Sequence, residues 1–158
     1  MIKPVTLAAT EYICLNMRER DRAEIFGMRS HDNALWLAAE VVRMAAEGRA
    51  VIAQHRGVPA GIAGANRLWP GCYTIWAFGT DRWPCVAVDL IRWARTDLKS
   101  WLLAGGAHRV QCESRSDHVD AHRLLERFGA ERECVLRSYG RDGADYFLYA
   151  WVKQKGAA

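Results

Sequence analysis

The sequence contains no run of about 18 apolar residues and no basic-then-apolar leader, so neither a membrane span nor a secretory signal is expected. Its five cysteines, Cys14, Cys72, Cys85, Cys112 and Cys134, are scattered and odd in number. They form no metal-ligand pair spacing and no disulfide framework, and buried free thiols in a reducing compartment are the expectation. No repeat, low-complexity tract or dividing linker interrupts the chain. A dominant charge is missing too. The net charge of +4 is mildly basic and selects no class of partner.

What is present is the composition of a soluble globular domain, 51% hydrophobic and 25% charged, long enough at 158 residues to bury a core without disulfides. One domain over 1–152 and a polar tail over 153–158 are expected. Seven tryptophans are many for this length and suit a protein that packs against a partner. Trp36, Trp69 and Trp83 fall in or beside loops and helix ends, where interface anchors are common.

Periodicity gives the element order. Lys3 to Leu7 reads as a short strand, and Thr10 and Glu11 open a helix that the charged run Arg18-Glu19-Arg20-Asp21-Arg22 breaks. Ala23 to Met28 reads as a further turn. Ala34 to Glu47 is helical, with Leu35, Ala38, Val41, Val42 and Ala45 on one face and Gly48 at its end. Ala50 to His55 and Ala60 to Leu68 form a hairpin around Arg56-Gly57-Val58-Pro59, and Tyr73 to Phe78 is a third strand. Pro84 suits the first turn of a long helix that runs to Ala104 before Gly105-Gly106. Because a helix of that length joins parallel strands, Tyr73 to Phe78 and Val110 to Glu113 are expected to be parallel neighbours that splay at their ends.

The stretch His108 to Ala130 organises the rest. Val110 and Cys112 alternate with Gln111 and Glu113 as a strand, Ser114-Arg115-Ser116-Asp117 breaks it, and Ser116 or Asp117 can cap a helix. Val119, Ala121, Leu124, Leu125 and Phe128 form that helix's apolar face, with Leu125 and Phe128 expected in the core, and Gly129 suits its end. Glu131 to Arg137 and Asp145 to Val152 then read as a hairpin.

This succession resembles the GNAT family of N-acetyltransferases across nearly the whole chain. In those enzymes a strand leads into a helix of pattern Asn-x-x-Ala-x-x-Leu-Tyr-x-x-x-Gly-Phe, and His118, Ala121, Leu124, Leu125, Gly129 and Ala130 stand at the matching positions. The implied fold class is α+β: a mixed, mostly antiparallel sheet flanked by helices in a single domain. The departures fall where chemistry would be. The family's tyrosine, often general acid to the leaving thiolate, is replaced by Leu125, which has no proton to give. The family's Gln/Arg-x-x-Gly-x-Gly/Ala loop for the pyrophosphate of coenzyme A is replaced by Phe78-Gly79-Thr80-Asp81-Arg82-Trp83-Pro84-Cys85-Val86-Ala87. An acidic Asp81, a bulky Trp83 and an amide-less Pro84 suit phosphate poorly. If the chain is active, the resemblance implies acetyl-CoA as cofactor at Phe78, Gly79, Thr80 and Arg82, with Glu113 and His118 catalytic.

A narrower resemblance is to the GNAT-like internal virion protein A family of short-tailed bacteriophages. It rests on Asn16-Met17-Arg18, Asp21-Arg22-Ala23-Glu24-Ile25, Trp76-Ala77-Phe78-Gly79-Thr80, His122 to Ala130 and the Arg141-Asp142-Gly143 turn. It implies a virion protein made in the bacterial host cytoplasm, with portal, tail or internal core proteins, or its own copies, as partners.

Other candidates have plain readings. Glu113 is read as an exposed strand-end carboxylate, and His118 and His122, one helical turn apart, as a partly exposed pair without a third ligand. Cys85 and Cys112 are read as packed thiols. Arg92, Arg95 and Lys99 form a solvated helix face that Asp89 and Asp97 interrupt, so no specific nucleic-acid site is expected. Two functions remain open: a catalytically degenerate scaffold acting through protein contacts with no cofactor, and an acetyl-CoA-dependent N-acetyltransferase of unknown acceptor.

Overall fold

The computed structural model describes residues 1–153. The expected tail therefore lies, apart from Lys153, outside the described residues. Among the described residues seven strands, β1 (Ile2–Lys3), β2 (Arg49–His55), β3 (Val58–Trp69), β4 (Cys72–Gly79), β5 (Arg109–Arg115), β6 (Glu131–Leu136) and β7 (Tyr146–Val152), form one sheet in the order β1-β2-β3-β4-β5-β7-β6, antiparallel except where β4 meets β5. The fold class is α+β, as expected.

β1 is only Ile2–Lys3, and helix α1 (Leu7–Leu15) begins earlier than expected because the Thr6 hydroxyl accepts the Ala9 amide as its cap. This helix ends at Leu15, ahead of the charged run as expected, but the run is itself helical. It forms the first turn of α2 (Glu19–Gly27), whose inward face carries Asp21, Ile25 and Phe26. Helix α3 (Ala34–Glu47) spans the expected residues and is capped by Asn33, whose side chain accepts the Leu35 and Trp36 amides, but its buried face carries Leu37, Ala38 and Val41, while Leu35, expected there, is exposed. β2 (Arg49–His55) and β3 (Val58–Trp69) are joined by Arg56-Gly57, both at positive φ, the twist a two-residue hairpin needs.

β4 (Cys72–Gly79) leads to a 3₁₀ turn (Trp83–Cys85), so Pro84 precedes the helix instead of opening it. Helix α4 (Ala87–Trp93) continues through a π-helical turn (Ala94–Leu98) into α5 (Lys99–Ala104). β5 (Arg109–Arg115) follows, then α6 (Val119–Arg127) and the hairpin of β6 (Glu131–Leu136) and β7 (Tyr146–Val152). Neither Ser116 nor Asp117 caps α6. His118 occupies the cap position without a side-chain cap bond, and Asp117 pairs with Arg115.

The sheet buries both faces. Ile52, Ile62 and Phe78 pack under α1, α2 and α3 with Ile13, Leu37 and Val41. On the other face Ala53, Ala60 and Ala65 meet Val86, Leu90, Trp93 and Leu98, and Cys112, Ala130 and Tyr149 continue that layer beneath α6. Leu125 and Phe128 are half-buried here, not fully enclosed, and Val119 is exposed. The thiols divide as well: Cys14, Cys72 and Cys112 are buried, whereas Cys85 and Cys134 are exposed, against the expectation for both.

Gly48 ends α3 where a Cβ would meet the Ala65 carbonyl oxygen and the Asn66 side chain. Backbone cannot rotate away as a side chain can. Gly48→Ala should therefore cost about 1–3 kcal/mol in chemical denaturation, the range of overpacking; a change within about 0.5 kcal/mol would mean that the α3–β2 junction is looser than described.

Candidate functional site

β4 and β5 pair in parallel only at Cys72↔Arg109, Tyr73↔Val110 and Thr74↔Gln111, after which they diverge. The gap opens into a groove of about 1140 Å³ whose walls include Trp76, Phe78, Cys112, Glu113, Leu125 and Phe128. The π-helical turn lies on its rim and sets the Arg95 guanidinium over the Phe128 ring at 5.1 Å.

Helix α2 crosses the open end of the gap. Its Asp21 Oδ2 accepts the Gly79 amide of β4 at 2.7 Å, and its Glu24 Oε2 accepts the Arg115 amide of β5 at 2.9 Å. One helical turn separates the two carboxylates, so a single helix holds both diverging strands. Around them the polar groups are satisfied. Arg18 forks onto Asp21 at 2.7 and 3.1 Å and stacks over the Trp83 ring, while its own amide donates to the Gly79 carbonyl. The Ser114 hydroxyl and His118 Nδ1 donate to Glu24 at 3.0 and 2.9 Å, and His118 Nε2 lies 3.7 Å from Asp21. The Tyr146 hydroxyl donates to the Glu24 carbonyl.

The histidines are thus not a partly exposed pair. His118 is 7% exposed and His122 8%. Their rings serve different partners, because His122 Nε2 donates to the Arg115 carbonyl while stacking on Tyr149. Among the described residues no group of three or more His, Cys, Asp or Glu side chains could hold a metal ion. Burial alone would lower the His118 pKa, but the Glu24 hydrogen bond and the fields of Glu24 and Asp21 outweigh it and raise it. Burial raises the Asp21 carboxyl, against the lowering pull of Arg18 and the Gly79 amide. Burial and the His118 charge lower His122, against its bond to the Arg115 carbonyl.

Of the residues implied as cofactor-binding, Gly79 gives its amide to Asp21 and Thr80 gives its own to the Ala60 carbonyl. The amides of Arg82, Trp83, Cys85 and Val86 are likewise spent on Thr80 Oγ1, the Thr80 carbonyl, the Arg82 carbonyl and the Trp83 carbonyl. Pro84 has none. Trp83 is half-buried beneath Arg18, not an exposed anchor, and its ring edge lies against Gly61 and Gly79. Convergent free amides are what an anion at a helix start requires, and the six amides just named are turned inward, so the turn itself offers a coenzyme A pyrophosphate few donors.

The remaining implied residues are near the gap but not joined. Glu113 is half-buried on the groove wall, within the strand and not at its end, and pairs across with Leu148. No tyrosine lines the groove among the described residues. Cys112 faces the groove, but burial raises its thiol pKa well above the ordinary value, which leaves no thiolate nucleophile. Cys14, on the buried face of α1 in the cluster with Leu37 and Val41 of α3, has a thiol pushed up by burial to about 12.

Solved structures share this topology. An N-acetyltransferase from Staphylococcus aureus Mu50 superposes with a TM-score of 0.76 at 13% identity, covering 98% of each chain. The chain has the GNAT fold. Ribosomal-protein-alanine N-acetyltransferase from Brucella melitensis matches with a TM-score of 0.71 at 12% identity, over 96% of this chain and 99% of that one. The structure of yncA from Salmonella typhimurium with its cofactor acetyl-CoA matches with a TM-score of 0.69 at 16% identity, over 100% of this chain and 96% of that one. No protein-family profile and no curated protein sequence matches the chain. Among the described residues no helix of this GNAT-fold chain is long and apolar enough to cross a membrane.

Sequence reasoning missed Asp21 and Glu24 as partners of the gap. Their signal was the spacing Arg18-x-x-Asp21-x-x-Glu24, which puts all three on one helical face beside Ile25. Asp21 is 2% exposed. Asp21→Ala should cost about 3–5 kcal/mol by chemical denaturation, since it strands Arg18 and the Gly79 amide, and Asp21→Asn should cost less because its amide oxygen still accepts. Equal losses for the two would show that the carboxylate is not the Gly79 acceptor.

Proposed function

We propose that this GNAT-fold chain acts through protein contacts and does not transfer acetyl groups from acetyl-CoA at an enzymatic rate. The observation that carries this reading is the turn from Gly79 to Val86, in which the Gly79, Thr80, Arg82, Trp83, Cys85 and Val86 amides are spent inside the protein and Pro84 has none, where a coenzyme A pyrophosphate would need donors. The absence of a phenol from the groove wall supports it, because Leu125 stands where the family's general acid would be. The shared fold does not oppose it, since a fold hosts chemistry only through its site.

The setting follows from the sequence resemblance to the internal virion protein A family. On that reading the chain is a virion component, made in the bacterial host cytoplasm, whose partners are other virion proteins or its own copies. Trp36 and Trp69, 63% and 57% exposed, are the aromatic anchors that such contacts would use.

Calorimetric titration with acetyl-CoA, paired with an acetyl-transfer assay on a panel of small amines and peptide N-termini, tests the proposal. No binding and no transfer are expected. Dissociation in the low micromolar range together with turnover would overturn it in favour of an N-acetyltransferase, with Glu113 and His118 the residues to examine first.

A further inference from the structure

The bridge across the gap contains four ionisable groups in one buried chain. Arg18 forks onto Asp21, His118 lies between Asp21 and Glu24, and the two carboxylates hold the Gly79 and Arg115 amides. With His118 protonated, two positive and two negative charges balance inside the protein. With His118 neutral, one buried negative charge is left over, the costly condition for groups removed from water. The groups facing His118 are few. They are Asp21 and Glu24 of α2 and Arg18 at its N-cap; His122 lies one turn along α6, and Arg115 is directed at Asp117 and Asp142.

We propose that α2 is a proton-operated latch on the β4–β5 gap, closed while His118 is protonated and released when His118 becomes neutral. On release, the amides of Gly79 and Arg115 lose their carboxylate acceptors and the diverging strand edges become available. The latch needs no activity from the groove and stands whether or not the chain transfers acetyl groups.

The direction follows from linkage. The His118 pKa is raised by folding, so its contribution is complete below the ordinary value of about 6.5 and is lost as pH rises through the higher folded value. Release therefore belongs to the neutral-to-alkaline side, not to acid. Raising the pH from about 5.5 to 9 should move only the groups tied by the latch, because Ile62 in β3 is held by strand pairing alone.

The test is NMR on the full chain across that range, following the His118 ring and the amide-exchange protection factors of Gly79, Arg115 and Ile62. Protection factors correct for the intrinsic rise of exchange with pH. Between the ordinary histidine value of about 6.5 and the higher His118 midpoint of the closed chain, protection at Gly79 and Arg115 should fall with a slope approaching tenfold per pH unit, that of one linked proton, and level off above the midpoint, while Ile62 is unchanged. His118→Gln, which cannot titrate, should abolish that slope. A His118 midpoint at or below the ordinary histidine value, or Gly79 and Arg115 protection that ignores the midpoint, overturns the latch, and the wild-type titration decides this even if the variant fails to fold.

Discussion

Two backbone amides on strands that have already parted, Gly79 of β4 and Arg115 of β5, are held by carboxylates one turn apart on α2. The rest of the architecture depends on this bridge. Parallel pairing stops at Thr74, and beyond it, among the described residues, no strand pairing joins the β1–β4 half of the sheet to the β5–β7 half. Buried amides without acceptors are costly, so a gap of this kind must be filled by ligand, water or side chains. Here α2 supplies the filling at the gap's outer end, and the ion pair from Arg18 makes the buried Asp21 tolerable.

That arrangement shapes what the groove can do. Its apolar walls offer room, but the turn at its mouth is closed on itself through Thr80, and Trp83 is clamped between Arg18 and the glycines of β3 and β4. Six amides of this corner are spent on internal order, and a shared fold is compatible with the proposed lack of acetyl transfer because chemistry lives in the site.

The sequence made the sheet, α3 and the order of strands legible because their patterns are strong. Asn33 caps, Ala34 to Glu47 keeps a helical apolar face, and Arg56-Gly57 requires a hairpin. The parallel contact of β4 with β5 was legible from the long helix between them. Helix α2 was not, since five charged residues in succession look like a break until the partners of Arg18, Asp21 and Glu24 are known. Those partners lie far along the chain, at Gly79, Arg115 and His118, and local periodicity holds no record of them. The same limit hid the burial of His118 and the exposure of Cys85. The departures at Leu125 and Pro84 were legible one residue at a time, but the inward turning of the loop amides depends on partners such as Asp21 and Ala60 that lie far along the chain.

Asp21 and Glu24 are linked through His118, which hydrogen-bonds Glu24 and lies 3.7 Å from Asp21, and so act as one unit instead of as two independent ties. A double-mutant cycle of Asp21→Asn and Glu24→Gln, read by chemical denaturation at neutral pH, measures that coupling directly. A coupling energy of about 0.5–3 kcal/mol is predicted, as for residues in one buried network. Additive losses, with no coupling beyond error, would contradict the account and reduce the bridge to two unrelated hydrogen bonds.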